Sequence, residues 1–160
     1  MDGGMMQTTY VFPQLATLYA TLGPWVEALL RVTVGALLIP HALRNLLGWW
    51  PGTGSPVANF KEFTGLLDKI GYKPGVFWGW LVILTELIAG PLLILGLFTR
   101  PAAVPILILM ILSVRTHKMF GWFWNVQGIE YPLLWTAAVL YFLVNGGGAI
   151  SLDAWLGWQF

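Results

Sequence analysis

The chain has 160 residues, of which 58% are hydrophobic and only 9% are charged. A soluble domain of this size needs a larger charged surface, so the composition excludes one and indicates a membrane protein. The net charge of +1 and the lack of a basic cluster argue against nucleic-acid binding. Because the chain has no cysteine, disulfides, thiol redox chemistry and iron–sulfur ligation are excluded, and any redox role requires a cofactor from elsewhere.

The N-terminal part contains a predicted interfacial helix followed by the first membrane span. Four apolar residues at helical spacing predict a short helix at the membrane interface, with a flexible tail as the alternative: Leu15, Leu18, Tyr19 and Leu22. The first span is predicted over residues 24 to 47, with Pro24 at a helix start. One face of this helix carries its ionisable groups, which predicts that the face points into a bundle: Glu27, Arg31, Val34, Leu38 and His41.

A polar segment separates the first predicted span from the second. It begins with the turn-rich run WWPGTGSP, which predicts a loop. Apolar residues then repeat every three to four positions: Phe60, Phe63, Leu67 and Ile70. This pattern predicts an amphipathic interfacial helix over residues 57 to 70, which is too short to cross a bilayer.

The second predicted span covers residues 76 to 98 and contains Glu86 near its middle. A charge at that depth costs about 2.5–3.5 kcal/mol on insertion scales, so Glu86 is expected to face a partner or a wet cavity rather than lipid. Pro91 lacks an amide hydrogen, so it frees the carbonyl of Leu87 one turn from the carboxylate.

Two further spans complete the prediction. The third, residues 102 to 117, follows a tight turn and is antiparallel to the second. The fourth, residues 129 to 145, carries a polar stripe that is expected to face inward: Glu130, Leu134, Ala137, Tyr141 and Asn145. Residues 146–148 are glycines that predict a helix cap and turn rather than a phosphate loop. The predicted fold is an all-α membrane protein, a single domain over residues 1–160 in which four transmembrane helices form an antiparallel bundle with short interfacial amphipathic helices.

The distribution of basic residues predicts the orientation of the bundle. Four spans place both termini on one side, with Arg100 near that surface. The side of the two longer loops carries six basic residues: Arg44, Lys61, Lys69, Lys73, Arg115 and Lys118. The positive-inside bias therefore places the loops in the cytoplasm and the termini on the extracytoplasmic side.

Glu27, Arg31 and Glu86 form a predicted buried polar core. Arg31 lies seven residues after Pro24, and Glu86 lies twelve before Phe98. At about 1.5 Å per residue, they lie roughly 10 and 18 Å below the same surface, a difference that an arginine side chain spans. We therefore predict that Arg31 contacts Glu86, with Glu27 as a second acceptor. Such a group either serves function or only fixes helix register as a buried ion pair.

A second group lies near the loop side and consists of His41, His117 and Glu130. An imidazole and a carboxylate at this depth can hydrogen-bond a quinone oxygen or relay protons, so we predict a quinone or proton site here. The alternative is that these side chains only satisfy packing. Two histidines also permit haem or a metal ion, but no third ligand has suitable spacing, and we predict no metal site.

Several short motifs follow one another at fixed places in the chain: Arg31-x-x-x-Gly35, His41, Glu86-Leu-Ile-Ala-Gly90, Leu95-Gly-Leu-Phe-Thr-Arg100, His117 with Gly121-Trp-Phe, Gly128-Ile-Glu130 and Gly146-x-Gly148-x-x-Ser151-Leu-Asp153. Their order and spacing resemble the DoxX family of small four-helix membrane proteins, over about residues 28 to 153. The family commonly has a glycine and then a lysine after the first-helix histidine, whereas Ala42 and Asn45 stand there in this chain.

The resemblance implies a multi-pass protein of a prokaryotic inner membrane and a redox setting. A member of the family is similar to the membrane subunit of a thiosulfate:quinone oxidoreductase, and others associate with oxidative-stress enzymes. The leading hypothesis is therefore a membrane subunit, catalytic or not, of a quinone-linked redox system, with quinone as its cofactor and other membrane-associated subunits as partners. The alternative is a non-catalytic scaffold or assembly subunit of a larger membrane complex. Small-solute transport is a weaker hypothesis, because the chain contains no inverted repeat.

Overall fold

The structure is a computed structural model and describes residues 11–53 and 57–158. These residues contain no β-strand and form seven α-helices: α1 (Ala16–Leu47), α2 (Phe60–Lys69), α3 (Gly75–Leu84), α4 (Gly90–Leu95), α5 (Thr99–His117), α6 (Glu130–Asn145) and α7 (Leu152–Leu156). A π-helical turn over Thr85–Ala89 joins α3 to α4, so these three elements form one continuous rod. Short 3-10 turns occupy Pro13–Leu15, Lys118–Phe120 and Trp124–Val126.

Three helical segments of the described chain are long and apolar enough to cross a membrane: Pro13–Leu47, Gly75–Leu95 and Thr99–Phe120. The predicted all-α membrane class is thus confirmed. The fourth predicted span corresponds to α6, which has only 16 residues. At 1.5 Å per residue α6 is about 24 Å long, shorter than the roughly 30 Å hydrocarbon core.

The predicted start of the first span at Pro24 is wrong, because α1 begins at Ala16 and continues through this proline. Proline disfavours the helical conformation of the preceding residue by a clash with its Cβ atom, and Gly23 has no Cβ. The predicted separate interfacial helix before Pro24 is therefore the first two turns of α1. At its other end α1 terminates at Gly48, which adopts φ 72° and donates its N–H to the carbonyl of Arg44 at 2.9 Å.

The core lies where α1, the rod of α3 and α4, α5 and α6 meet. α1 packs on α4 and on the π-helical turn, and α5 packs on α6. The buried apolar residues are Val34, Leu38, Ala89, Leu93, Ala102, Ala103, Ile106, Met110, Val139 and Phe142. Gly35 allows α1 to approach α4 closely, since a Cβ at this position would lie 2.6 Å from the carbonyl oxygen of Gly90.

α2 lies against the start of α3, inside the stretch predicted as an interfacial helix. Its N-terminus has a reciprocal cap, in which the side chain of Asn59 accepts the N–H of Glu62 at 3.0 Å. The Glu62 carboxylate accepts the N–H of Ala58 at 2.9 Å. This arrangement is similar to a capping box, except that Glu62 accepts the N–H of the residue before the N-cap, and it fixes where α2 begins.

The polar stripe predicted on the fourth span faces outward, which is a correction to the sequence prediction. α6 buries Pro132, Val139 and Phe142, whereas Leu134 is 68% exposed and Tyr141 is 42% exposed. α6 is apolar on both faces, so its own sequence gives little preference for either one. Packing against α5 selects the buried face.

Candidate functional site

Arg31 is the most deeply buried charged side chain of the described chain, at 2% exposure. One terminal nitrogen, Nη1, donates to the carbonyls of Leu93 and Ile94 at 3.1 and 3.3 Å. The other, Nη2, donates to the carbonyl of Ile150 at 2.5 Å. Leu93 and Ile94 belong to the last turn of α4, where the helix dipole favours a cation, and the carbonyl of Leu93 also accepts the N–H of Gly96 at 3.1 Å. Arg31 therefore ties α1 to the end of α4 and to the segment after α6.

The predicted contact between Arg31 and Glu86 is wrong, since the structure shows no hydrogen bond between them in the described part of the chain. Leu93 lies seven residues beyond Glu86 on the same rod, which is about 10 Å along the axis. The predicted depths of Arg31 and Glu86 assumed that the first helix starts at Pro24 and that the Arg31 side chain extends toward the middle of the membrane. The Arg31 side chain instead extends within the bundle toward the C-terminal end of α4, where the last carbonyls of that helix accept its N–H groups.

Asp153 of α7 is 7% exposed and caps the N-terminus of α5. Its two carboxylate oxygens accept the N–H groups of Phe98 and Thr99 at 2.8 and 2.9 Å, and its own N–H donates to the carbonyl of Gly96 at 2.8 Å. A carboxylate at a helix N-terminus interacts favourably with the unpaired N–H groups there. α7 is thereby fastened across the turn between α4 and α5.

Glu27 and Tyr141 pair across two helices at the same end of the bundle. The Tyr141 hydroxyl donates to Oε1 of Glu27 at 3.1 Å. The other oxygen, Oε2, lies against Gly148, where a Cβ atom would collide with the carboxylate. The glycine turn after α6 therefore lets the backbone approach Glu27 and leaves the carboxylate half-buried rather than enclosed.

A groove of about 440 Å³ runs beside this pair, and its lining is almost entirely apolar. The lining residues are Tyr19, Leu22, Gly23, Val26, Glu27, Leu30 and Tyr141. Val26 is 60% exposed and Leu30 is 42% exposed, so the groove opens on the outer surface of the bundle. The groove lies on α1, a helix long and apolar enough to cross a membrane, and the polar side chains in its lining are Tyr19, Glu27 and Tyr141.

The glycine turn has a second cavity on its other side, of about 330 Å³ and with a largely polar lining. It is lined by Arg100, Asn145, Gly146, Gly147, Gly148, Ala149, Ser151, Asp153, Ala154 and Trp158. Arg100 donates to the carbonyl of Val144 at 3.0 Å, and Ser151 donates to the carbonyl of Gly148 at 2.7 Å. Gly148 lines this polar cavity and contacts the carboxylate of Glu27, which lines the groove.

Glu86 lies inside the bundle, in the π-helical turn, and is 5% exposed. In residues 11–53 and 57–158, its Oε2 atom has no hydrogen-bond partner. The turn follows from the sequence, because Pro91 offers no N–H to the carbonyl of Leu87. Turns of this kind occur often at functional sites. Glu86 thus points away from lipid, toward the apolar core.

No hydrogen bond joins His41, His117 and Glu130 to one another in the described part of the chain, although His41 and His117 lie close enough to interact electrostatically. His41 is exposed, and Ala42 occupies the buried position beside it. His117 is half-buried, and its Nδ1 lies 2.8 Å from the carbonyl and 3.2 Å from the hydroxyl of Ser113. Glu130, at the first turn of α6, accepts the N–H of Trp124 at 3.1 Å and so fastens the loop before α6. The predicted inward position of His41 is therefore wrong.

No group of three or more His, Cys, Asp and Glu side chains with metal-binding geometry occurs among the described residues.

Comparison with known proteins identifies the family. The sequence profile of the DoxX family matches residues 26–119. The chain belongs to the DoxX family. It is 28% identical over 142 residues to an uncharacterised membrane protein of Mycobacterium tuberculosis, covering 82% of this chain and 81% of that protein. It is 32% identical over 134 residues to an uncharacterised protein of Haemophilus influenzae, covering 81% and 90% of the two chains. No solved structure matches the chain significantly.

Several motifs behind the resemblance to DoxX proteins meet at one end of this bundle. Arg31 of the first motif packs against Gly96, where a Cβ atom would collide with its guanidinium. The backbone N–H of Thr99 donates to the Asp153 carboxylate, and Gly147 packs against the Thr99 hydroxyl. These motifs are thus one structural unit that closes the bundle.

The sequence placed Tyr141 in the predicted polar stripe of the fourth span and Asp153 in the last of the family motifs, but it indicated a role for neither residue. Nothing within α6 indicates that Tyr141 meets Glu27, because the two lie 114 positions apart. The signal for Asp153 was local: Ser151 caps α7 by accepting the N–H of Ala154, which places a carboxylate in the first turn. Its actual targets on α5 follow only from the fold.

Proposed function

We propose that this DoxX protein is a quinone-binding membrane subunit of a redox system in a prokaryotic inner membrane. The pair of Glu27 and Tyr141 in the lipid-facing groove carries the proposal. A quinone has an apolar ring and tail and two carbonyl oxygens that accept hydrogen bonds. The groove offers an apolar wall for the ring, and the Tyr141 hydroxyl, which donates to Glu27 in this structure, would turn to donate its one hydrogen to a quinone oxygen.

The groove also suits the reduced ligand. A hydroquinone carries hydroxyl groups that donate hydrogen bonds, and Glu27 has two acceptor oxygens at the groove. When an electron donor on a partner subunit reduces the quinone by two electrons, each carbonyl oxygen takes up one proton, and the carboxyl of Glu27 can deliver one of them from the aqueous phase at this end of the bundle. The membrane supplies the ligand laterally, since the groove residues on α1 are exposed toward lipid. The proposed ligand position therefore moves from His41, His117 and Glu130 to the opposite end of the bundle.

The proposal includes a fourth crossing by α6. α6 is short, but aromatic side chains suited to the interface flank its first turn, with the rings of Trp124 and Tyr131 6.2 Å apart. Four crossings put the basic loop residues on the cytoplasmic side and the groove in the extracytoplasmic leaflet. Partner subunits would supply the electron donor.

Quinone affinity tests the proposal. Short-tailed benzoquinone and naphthoquinone analogues are titrated into the full chain in lipid nanodiscs. Tyr141→Phe removes one donor, so we expect the dissociation constant to rise about 5- to 10-fold, as for one hydrogen bond of about 1–1.5 kcal/mol. Tyr131→Phe is the control, because this tyrosine is exposed at the other end of the same helix. Absence of saturable binding, or equal effects of both variants, would refute the proposed site.

The second candidate is a non-catalytic scaffold, favoured by the exposed apolar side chains of the loop before α6. Met119 is 71% exposed, Phe123 65% and Trp124 61%. Native gels of solubilised membranes that show a stable complex, lost when this loop is made polar and unaffected by Tyr141→Phe, would favour the scaffold.

A further inference from the structure

Glu86 is a buried titratable group that takes no part in the proposed quinone groove. It is 5% exposed, and Oε2 has no hydrogen-bond partner in the described part of the chain. Ile83 and Ala89, on either side of it along the rod, are 0% and 4% exposed. The carboxyl therefore lies in an apolar interior, at the one place where the rod departs from regular α-helix.

Ionisable residues of the helices packed on this turn do not neutralise Glu86. α3 and α4 contain none. Those on α1 and α5 are engaged elsewhere, exposed, or near the helix ends: Glu27, Arg31, His41, Arg44, Arg100, Arg115 and His117. An ionised carboxylate without a cation or donors in an apolar interior is strongly disfavoured, and a proton on the carboxyl removes that penalty.

Two polar side chains of α5, Ser113 and His117, lie between the level of Glu86 and the loop-side surface. Counting from the turn between α4 and α5 places Glu86 level with about residues 107 to 110, and Ser113 about 5–8 Å nearer the loop side. Ser113 continues the buried face of α5 that includes Ile106 and Met110. Its hydroxyl lies 3.2 Å from Nδ1 of His117, one turn further out.

We propose that Glu86 is a proton-binding site of the bundle interior, which exchanges its proton with the loop-side aqueous phase through Ser113 and His117. The exchange breaks and re-forms the O–H bond of the carboxyl while the hydroxyl and imidazole pass the proton to water, and no electron moves. This inference concerns a site distinct from the quinone groove and does not depend on it.

Infrared spectroscopy of the full chain in lipid tests the proton on Glu86. At pH 7 we expect a carbonyl-stretch band of a protonated carboxylic acid that is absent in Glu86→Gln. Labelling with ¹³C-glutamate assigns the band to a glutamate even if this variant fails to accumulate, and Glu27→Gln should leave the band in place. A spectrum without such a band, or with a band that Glu27→Gln removes, overturns the proposal.

Hydrogen–deuterium exchange of the same band tests the path. Ser113→Ala and His117→Gln should each slow the exchange by about tenfold or more, since each removes a group that transfers protons. Thr116→Ala is the matched control, because its hydroxyl lies on the same turn of α5 but bonds the carbonyl of Leu112 and the hydroxyl of Tyr72. Unchanged exchange in both test variants, or equal slowing in the control, refutes this path. Quinone affinity is expected to stay unchanged in Ser113→Ala and His117→Gln.

Discussion

Arg31 and Glu86 show how differently two charged groups can be buried within one bundle. The Arg31 guanidinium donates hydrogen bonds to three backbone carbonyls. Two of them lie at the end of α4, where the helix dipole favours a cation. Glu86 lies about two turns deeper and has an oxygen without a partner in the described chain. The hydrogen bonds of Arg31 stabilise the packing of α1 on α4. The unpaired carboxyl oxygen of Glu86 adds no hydrogen bond to the stability of the bundle. An ionisable group buried without a partner inside a membrane bundle marks a candidate functional site.

Replacing Arg31 measures the strength of the joint it forms. Arg31→Met gives an apolar side chain of similar length and removes the guanidinium hydrogen bonds to three carbonyls, of which only that of Leu93 keeps a backbone donor among the described residues, Gly96 N–H. We expect the free energy of unfolding in detergent to fall by roughly 3 kcal/mol, since hydrogen bonds to charged groups contribute about 1.5–3 kcal/mol each and do not add fully. Circular dichroism during chemical denaturation measures this change. Arg115→Met, at an exposed position, is expected to cost little. Similar losses in both variants would mean that the joint contributes nothing.

Between helices, small residues decide how closely the elements approach. Gly35 and Gly90 face each other where α1 crosses α4, and Gly79 packs against Thr64 and Phe60 of α2. In a membrane no hydrophobic force draws apolar helices together, so close van der Waals contact carries more of the stability. The same close approach brings Arg31 within reach of the α4 carbonyls.

The crossing of α1 and α4 can be tested with one methyl group. A Cβ atom at position 35 would lie 2.6 Å from the Gly90 carbonyl oxygen and 2.8 Å from the Ile94 side chain. We expect Gly35→Ala to reduce the free energy of unfolding by roughly 1–3 kcal/mol through overpacking. Gly65→Ala is the control, since nothing lies within 4 Å of a Cβ at this helical position. There the substitution is expected to be neutral or stabilising. A neutral Gly35→Ala would show that the helices do not touch at this point.

For the bundle as a whole, the path of α6 decides the topology. α6 packs along α5 and returns the chain to the end where Arg31 and Asp153 lie. If α6 crosses the bilayer, the loop before α6 and the α7 segment lie on opposite sides of the membrane. If it does not, both lie on one side.

The lack of cysteine makes this topology directly measurable. Single cysteines are introduced by Met119→Cys in the loop and Ala154→Cys in α7, both at exposed positions. We expect a membrane-impermeant maleimide added to intact spheroplasts to label position 154 and not position 119 until the membrane is permeabilised. Labelling of both from outside would exclude the fourth crossing, and labelling of position 119 alone would reverse the orientation.

The sequence by itself determined that the chain is a helical membrane protein. Hydrophobic runs of sufficient length admit no other structure in lipid, because backbone groups must be satisfied within each segment. It also determined that Arg31 and Glu86 turn inward and that Pro91 perturbs the helix beside Glu86. These results follow from the cost of exposing charge to lipid and from the missing amide hydrogen of proline, which are local properties.

Only the tertiary structure decided which groups meet. α1 and α6 carry apolar residues on most of their faces, so their hydrophobic periodicity did not indicate which face is buried. It did not reveal that Tyr141 faces outward toward Glu27 or that His41 lies outside the core. The partner of Arg31 depended on where α4 ends and where the chain returns after α6, and both are long-range features. In a membrane helix the hydrophobic pattern that separates inside from outside is weak. The buried face is therefore chosen by helix packing and hydrogen bonding between distant segments.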